Sequence, residues 1–369
     1  MAITYRIASS CALVIAMTVG IARPATGQTI TLNQVQQSRL VELVNSNQDA
    51  QSLLKTVVRD ADRAMSAQPH PIENIRSEGL LARDPEKLAT VNALGDMPHV
   101  ESLAYAWLAT GNTAYGKQAG DYILAWSKKT KPTGNPIDAT KLESLFIAYD
   151  LTRSGFSAAD RKWVDAWLQA IAERQIAERK AAGSMSFNNW NSHRLKIIGL
   201  IGFVTGNKQL AQLAVDGFKQ QVAADLLPDG SSFDFHERDA LHYHVYTLEP
   251  LLTLAIAADK NGIPNLYNYT APNAASLRKS VEFLLPYAEG HKKHAEYVHS
   301  KVEFDRKRAA AGQKEFQIGV DYQPTSARDT LALASYFDPR FRPLVAVLAG
   351  KPGREYPTWQ TLLNAAAGK

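Results

Sequence analysis

The chain has 369 residues and a formal net charge of +5 at pH 7, with 45% hydrophobic and 21% charged residues. This length suffices for one large domain or two modest ones. The positive excess is small and dispersed, which suits an anionic partner and argues against nucleic acid as the partner.

The first 27 residues have the features of a secretory signal. Arg6 provides the positive start, residues 7–22 are apolar, and Ala25-Thr26-Gly27 offers small residues for cleavage. We therefore expect a signal peptide over 1–27, a mature domain over 28–369, and a secreted or periplasmic protein. The apolar run is short for a membrane span and no other segment qualifies, so we expect no membrane association after the signal is removed.

The single cysteine, Cys11, lies inside this predicted signal. The mature protein would then have no thiol, which excludes disulfides, cysteine-based metal sites and a cysteine nucleophile.

Apolar residues at three- and four-residue steps predict helices along most of the remaining chain, and strand-like alternation is scarce. We therefore predict an all-α fold. The predicted helices cover 32–65, 100–110, 114–128, 142–152, 158–179, 188–205, 209–226, 239–259 and 275–287.

A short internal echo suggests how these helices are arranged. Thr110-Gly111-Asn112 and Thr205-Gly206-Asn207 each close one apolar helix and open the next. Glycine in the left-handed conformation is a common helix stop, so both places predict antiparallel helix hairpins. Such hairpins can stack as a bundle, a solenoid or a closed ring, and the pattern alone leaves these open.

A dense polar stretch opens the helix predicted at 188. Asn189 and His193 are four residues apart and share a helix face, where their donors could hold a carboxylate. Trp190 offers a flat surface for a sugar ring, and Asn188 and Asn191 are further candidates for substrate binding. The alternative is a helix start capped by Asn188 or Asn189, with His193 satisfied in the core.

The second dense stretch runs from His236 to Tyr246. On one continuous helix, positions 236, 239, 243 and 246 form a stripe, which groups His236 and Asp239 with Tyr243 and Tyr246. A tyrosine ionises near pH ~10, and a nearby cation lowers that value, so a tyrosine here could transfer protons. The alternative is an amphipathic helix with packed tyrosines. The flanking candidates are Arg238, His242 and His244.

Other chemistries have weaker support in the sequence. No His-Glu-x-x-His spacing, nucleotide-binding glycine loop or nucleophile elbow occurs, so we expect no metal and no cofactor. Basic residues elsewhere could bind a polyanion or simply face water; they are Arg76, Arg83, Lys87, His99 and the 292–301 region.

Both stretches resemble motifs of the alginate-lyase family of polysaccharide lyases. Asn188 to His193 resembles the family's Asn-Asn-His motif, and Arg238 to His244 resembles its arginine and Ala-Leu-x-Tyr-His motif. The segments 100–126 and 300–306 are also similar to the family. The resemblance implies an incomplete (α/α) toroid of antiparallel hairpins. It also implies β-elimination on a 1,4-linked polyuronate such as alginate or glucuronan, an anionic polysaccharide partner, and a monomer.

The resemblance also implies roles for the site residues. His193 with Asn189 or Asn191 would neutralise the uronate carboxylate, and Tyr243 would be the base, assisted by Arg238. Two departures leave alternatives open. Ser192 stands between Asn191 and His193, and His236 occupies the place of the family's arginine, two helical turns before the tyrosine. His236 or Tyr246 could then be the base.

Two other functions remain possible. A glycoside hydrolase needs two carboxylates across the scissile bond, and Asp234, Glu237 and Asp239 are the nearest candidates. A glycan-binding protein without catalysis could use Trp107 and Trp190 as platforms.

Overall fold

The computed structural model describes residues 29–181 and 186–369, and their regular secondary structure is helical. The predicted signal peptide and Cys11 lie outside the described residues. The α-helices are α1 Gln34–Ser46, α2 Gln48–Met65, α3 Pro85–Ala93, α4 Asp96–Thr110, α5 Thr113–Lys129, α6 Pro136–Ala139, α7 Glu143–Thr152, α8 Ala158–Ala181, α9 Asn189–Thr205, α10 Lys208–Asp225, α11 Phe233–Arg238, α12 Leu241–Lys260, α13 Leu277–Ala288, α14 Glu303–Ala310, α15 Arg328–Ala334, α16 Arg342–Leu348 and α17 Trp359–Ala366.

Local capping explains why these helices begin and end where they do. Asn47 is extended, and its side chain accepts hydrogen bonds from the backbone N–H groups of Asp49 and Ala50 at 2.9 and 3.1 Å. Because an extended residue with a capping side chain ends one helix and starts another, the single helix predicted over 32–65 is two helices.

The two Thr-Gly-Asn segments form the predicted junctions between helices. Gly111 and Gly206 are left-handed, with φ of 71° and 73°, and each follows the last residue of its helix. Asn112 and Asn207 then cap α5 and α10 through their side chains. Helices α4 and α5 pack together, as do α9 and α10, which confirms the two hairpins.

The hairpins form a ring around a small axial cavity. Its volume is about 90 Å³, and it is lined by side chains of α4, α7, α9, α12, α15 and α17. Outer helices pack behind this inner set, among them α5, α8, α10 and α13. Helix α9 has neighbours on both sides of the ring and behind it, so its residues from Asn191 to Val204 are all buried. This arrangement is a helical toroid.

The first and last segments of the described chain pack against the ring of helices. Asp150 on α7 accepts hydrogen bonds from the hydroxyls of Thr29 and Thr31 at 2.6 and 2.5 Å. Asn261, just after α12, binds the backbone of Thr29. Near the carboxyl terminus, α17 packs against α1. Within the described ranges, none of the helices combines the length and apolarity that crossing a membrane requires.

Candidate active site

The first polar stretch forms the start of α9. Asn188 caps the helix by accepting a hydrogen bond from the Trp190 N–H at 3.1 Å, which confirms the capping alternative for Asn188. Asn189 and His193 share one face of α9, but the Asn189 side chain is not free. Its backbone N–H donates to Asp234 at 2.7 Å, and its amide nitrogen donates to the other oxygen of the same carboxylate.

A buried polar network continues behind Asn189. Gln221 accepts a hydrogen bond from the Asn191 amide at 2.6 Å and donates to Asp225 at 3.0 Å. Asn191 lies in the first turn of α9 and is 1% exposed, so its bond to Gln221 ties α9 to α10. Burial, and then the neighbouring Asp234, raise the pKa of Asp225 well above its ordinary value, which favours the protonated carboxyl group.

The second stretch is not one helix, so the predicted stripe over positions 236 to 246 is wrong. Helix α11 ends at Arg238, Asp239 is left-handed with φ of 48°, and α12 begins at Leu241. Hydrogen bonds to residues 296 and 297, which are distant in sequence, stabilise the break between α11 and α12. The Tyr297 N–H donates to the Asp239 carbonyl at 2.7 Å. The Glu296 carboxylate accepts from the Leu241 N–H at 2.8 Å and caps α12, whose own cap residue supplies no side-chain bond.

The break separates His236 from the tyrosines, while His242 and His244 lie on α12 with them. His236 is exposed, packs on Phe235, and places its Nε2 atom 2.8 Å from the Ser231 hydroxyl. His244 is fully buried, with its ring nitrogens 3.0 Å from the Ser232 hydroxyl and 3.0 Å from the Ser280 carbonyl. His244 therefore cannot bind substrate directly.

Two guanidinium groups surround the Tyr243 hydroxyl. Arg238 donates to it at 3.1 Å and also lies over the ring, 4.1 Å from its centroid. Arg308 donates to the same oxygen at 2.7 Å. Burial raises the pKa of Tyr243 above its ordinary value, while the charges of Arg238 and Arg308 oppose that rise by stabilising the phenolate.

Asp305 organises the two arginines. It is 1% exposed, accepts from Arg238 at 2.5 Å and from the Ser300 hydroxyl at 2.7 Å, and lies 3.8 Å from Arg308. Sequence reasoning missed Asp305 and Arg308. The signal was the segment 300–306, which resembles the family but carries no recognisable chemistry of its own.

The two polar stretches meet at His193. Its ring lies against Tyr246, with centroids 4.3 Å apart, and Tyr246 packs edge-on against Tyr243 at 6.4 Å. The exposed ring of His242 stacks over Tyr246 at 6.4 Å. The predicted histidine and tyrosines therefore line one site.

His193 is held neutral in this site. Its Nδ1 atom lies 3.2 Å from the Thr140 hydroxyl, and its buried Nε2 atom has no hydrogen-bond partner among the described residues. Burial, followed by the charges of Lys196 and Lys141, lowers the pKa of His193 well below its ordinary value. A neutral imidazole offers one donor and one acceptor, and not the two donors of the charged form.

The other predicted substrate-binding residues differ in how far their side chains are exposed. Trp190 is half-buried, Arg83 is exposed, and His99 is half-buried with its ring edge against Tyr122, centroids 6.3 Å apart.

Two of the acids considered for hydrolysis form hydrogen bonds within the protein. Asp234 is fully buried against Asn189, and Asp239 accepts from the His299 N–H at 2.8 Å.

The fold is a helical toroid, and the site places Tyr243 between two arginines, with Tyr246 and His193 beside it. The family model described as alginate lyase matches residues 42–294. The chain belongs to the alginate lyase family, and it is therefore a polysaccharide lyase.

Solved structures show the same fold. An alginate lyase from Bacteroides ovatus superposes with a TM-score of 0.69 at 20% identity, covering 92% of this chain and 99% of that one. Alginate lyase A1-III from Sphingomonas species A1 gives 0.58 at 20% identity, over 72% and 80% of the two chains. A variant of A1-III complexed with tetrasaccharide gives 0.57 at 20% identity, over 69% and 76%. A comparison with curated proteins gives no match.

Proposed function

We propose that this lyase cleaves a 1,4-linked polyuronate, with polymannuronate-type alginate as the first substrate to test, by β-elimination without a metal. The observation that carries the proposal is the Tyr243 hydroxyl, which accepts hydrogen bonds from Arg238 and Arg308. The relatives named as alginate lyases, one of them bound to a tetrasaccharide, support this class of substrate.

In the proposed reaction, ionised Tyr243 takes the C5 proton of a uronate residue. The electron pair left at C5 forms the C4–C5 double bond, and the C4–oxygen bond breaks. The leaving oxygen receives a proton from Tyr243 or from Tyr246 beside it. No oxidant, reductant or second substrate is needed: the C5–H electron pair becomes the double bond, the C4–O electron pair leaves with the oxygen, and one proton passes from C5 to that oxygen through the protein.

The electrostatics of the site suit this step. The C5 proton is weakly acidic because the adjacent carboxylate already carries a charge, so donors fixed where the second charge grows lower the barrier by several kcal/mol. In our assignment the Thr140 hydroxyl donates to Nδ1 of His193. The imidazole proton then sits on Nε2, which is buried and has no hydrogen-bond partner among the described residues, and we propose it as the donor to a substrate carboxylate oxygen.

The test is a panel of polymannuronate, polyguluronate and glucuronan, followed by the ultraviolet absorbance of the new double bond. We expect a rise with at least one polymer, and a loss of about 100-fold or more for Tyr243→Phe, since general base catalysis contributes roughly 10²–10⁴-fold.

His236→Ala is the matched control for His193→Ala. We expect His193→Ala to lose activity and His236→Ala to keep it, because His236 is bound to Ser231 outside the site. Full activity of Tyr243→Phe together with loss in Tyr246→Phe would move the base to Tyr246. Reducing ends without absorbance would instead indicate hydrolysis.

A further inference from the structure

The proposed elimination requires positive charge at the uronate carboxylate, and the residues expected to provide it are largely committed elsewhere. The amides of Asn189 and Asn191 donate to Asp234 and Gln221, and both side chains are buried. His193 is neutral, so it can offer a hydrogen bond but no charge.

The nearby cations are also mostly paired. Lys196 is on α9 one turn after His193, its side chain is 7% exposed, and its amine forms a close ion pair with Glu143. Arg238 is bound to Asp305 and Tyr243. Arg308 is buried and also binds the Tyr243 hydroxyl. These groups support the base and the helices around it.

Lys141 is the exception. It directly follows Thr140, whose hydroxyl contacts His193, and its side chain is exposed. Within the described part of the chain its amine has no ion pair within 4 Å and no hydrogen bond. Consecutive Cα atoms are about 3.8 Å apart, and the Thr140 hydroxyl lies 3.2 Å from Nδ1 of His193, so the long side chain of Lys141 starts next to His193. The anions that act on Lys141 are Asp138 and Glu78.

Asp138 is not available as a partner for Lys141. Its Oδ1 atom accepts from the Ser77 N–H at 2.9 Å, the Ser77 hydroxyl at 2.7 Å and the Glu78 N–H at 3.2 Å. Asp138 therefore fastens the Ser77–Glu78 turn through Oδ1, and neither Asp138 nor Glu78 forms an ion pair with the Lys141 amine within 4 Å.

We propose that the ammonium group of Lys141 forms the ion pair with the carboxylate of the reacting uronate, next to the hydrogen bond from neutral His193. This inference rests on the proposed function and assigns the charge-neutralising task to a residue outside the two polar motifs. A lysine amine is a compact charge on a flexible stem, so it can follow the carboxylate as C5 loses its proton.

The test compares Lys141→Gln and Lys141→Arg with wild type on the active polyuronate and on the same polymer converted to its methyl ester. The ester has no carboxylate charge to neutralise. We expect Lys141→Gln to lose roughly 10- to 100-fold in kcat/KM on the acid and to differ little from wild type on the ester, while Lys141→Arg keeps most activity. Lys117→Gln, which removes an exposed lysine paired with Asp121 on α5, is the control for net charge and should match wild type.

A binding measurement decides the matter even if wild type does not cleave the ester. In a Tyr243→Phe background, the dissociation constant for a saturated uronate oligomer should depend less on salt once Lys141 is glutamine. Wild-type activity of Lys141→Gln on the acid, or an equal loss on acid and ester, would overturn this inference alone. No absorbance from wild type with any polyuronate would overturn the proposed function as well.

Discussion

Two opposing effects act on the pKa of the Tyr243 hydroxyl. Its ring is 6% exposed, and burial disfavours the phenolate. Two guanidinium groups that donate to the oxygen favour it. A phenol in this setting can be ionised and reprotonated without bulk water, which is what a base that later acts as an acid requires.

Arg308→Met tests this balance. Removing the cation takes away a charged hydrogen bond of roughly 1.5–3 kcal/mol, so the pKa of Tyr243 should rise by about one to two units. Because the base must be ionised, the rising limb of the pH profile of kcat/KM should move to higher pH. The control is Arg306→Met, since Arg306 is exposed and donates to the Ser300 carbonyl. A profile that is unchanged in Arg308→Met would contradict the role assigned to this arginine.

Sequence patterns predicted the histidine and the tyrosines of the candidate site, and Arg238 beside Tyr243, but not Asp305 or Arg308. Asn189 and His193 share a face because helix geometry is local, and this was predictable from spacing. Asp234 is 45 residues from Asn189, and Arg308 is 65 residues from Tyr243. No local pattern reveals such pairs, because the ring of helices brings them together.

At the scale of elements, the start of α9 depends on the carboxyl groups of Asp225 and Asp234. Asp234 accepts from the Asn189 backbone at 2.7 Å and from the Thr247 hydroxyl at 2.8 Å, so it ties α9 to α12. Gln221 on α10 donates to the Phe187 and Asn188 carbonyls at 2.9 and 3.0 Å. Three helices are thus joined where the first polar stretch begins.

Asp225→Asn should change stability in a pH-dependent way. The pKa of Asp225 is raised in the folded state, so folding retains a proton that the unfolded chain releases above pH ~3.9. The stability contribution of this group therefore falls as pH increases between the unfolded and folded values. Asparagine stays neutral, so thermal melts should show Asp225→Asn close to wild type near pH 4 and more stable at pH 7.

Asp234→Asn is the informative contrast, because Asp234 accepts bonds from Asn189 and Thr247 that an amide satisfies only in part. We expect it to be destabilised by about 1–3 kcal/mol at pH 7. Equal effects of the two substitutions at both pH values would refute the assignment of the proton to Asp225.

Many helix boundaries were predictable, and the departures have different causes: the Asn47 cap divides the helix predicted over 32–65, and a segment distant in sequence delays the start of α12. Asparagine caps and left-handed glycines act within a few residues, so the bounds of α5, α9 and α10 agree closely with the periodicity. The helix predicted from 239 starts at Leu241, because Asp239 takes a conformation with positive φ that is held by Tyr297 and followed by the Glu296 cap. Glu296, which accepts the bond from Leu241, is more than 50 residues away in sequence.

At the scale of the molecule, the ring is closed by contacts between distant parts of the chain. Asp150 on α7 binds the segment 29–31, which also lines the axial cavity together with α17. The toroid expected from the family resemblance is therefore completed by residues that carry no motif.

Asp150→Ala should weaken this closure. The carboxylate is 1% exposed and accepts from Thr29 and Thr31, so its removal leaves buried hydroxyl and N–H groups without their acceptor. We expect a loss of roughly 2–4 kcal/mol in the free energy of unfolding, measured by urea denaturation. Asp160→Ala, at a half-buried position whose carboxylate accepts from the exposed Ser157 hydroxyl, is the control and should cost less. The idea fails if the two variants unfold at the same urea concentration.

The positions of Glu296, Asp305 and Arg308 have a practical consequence for anyone who trims the protein. All three lie beyond residue 294, where the matched family span stops. A recombinant fragment cut there would keep both polar motifs, but it would lose the segment 300–306, the Glu296 carboxylate that caps α12, and one of the two cations bound to the Tyr243 hydroxyl. Such a fragment should be inactive, and its lack of activity in an assay would give no information about the intact enzyme.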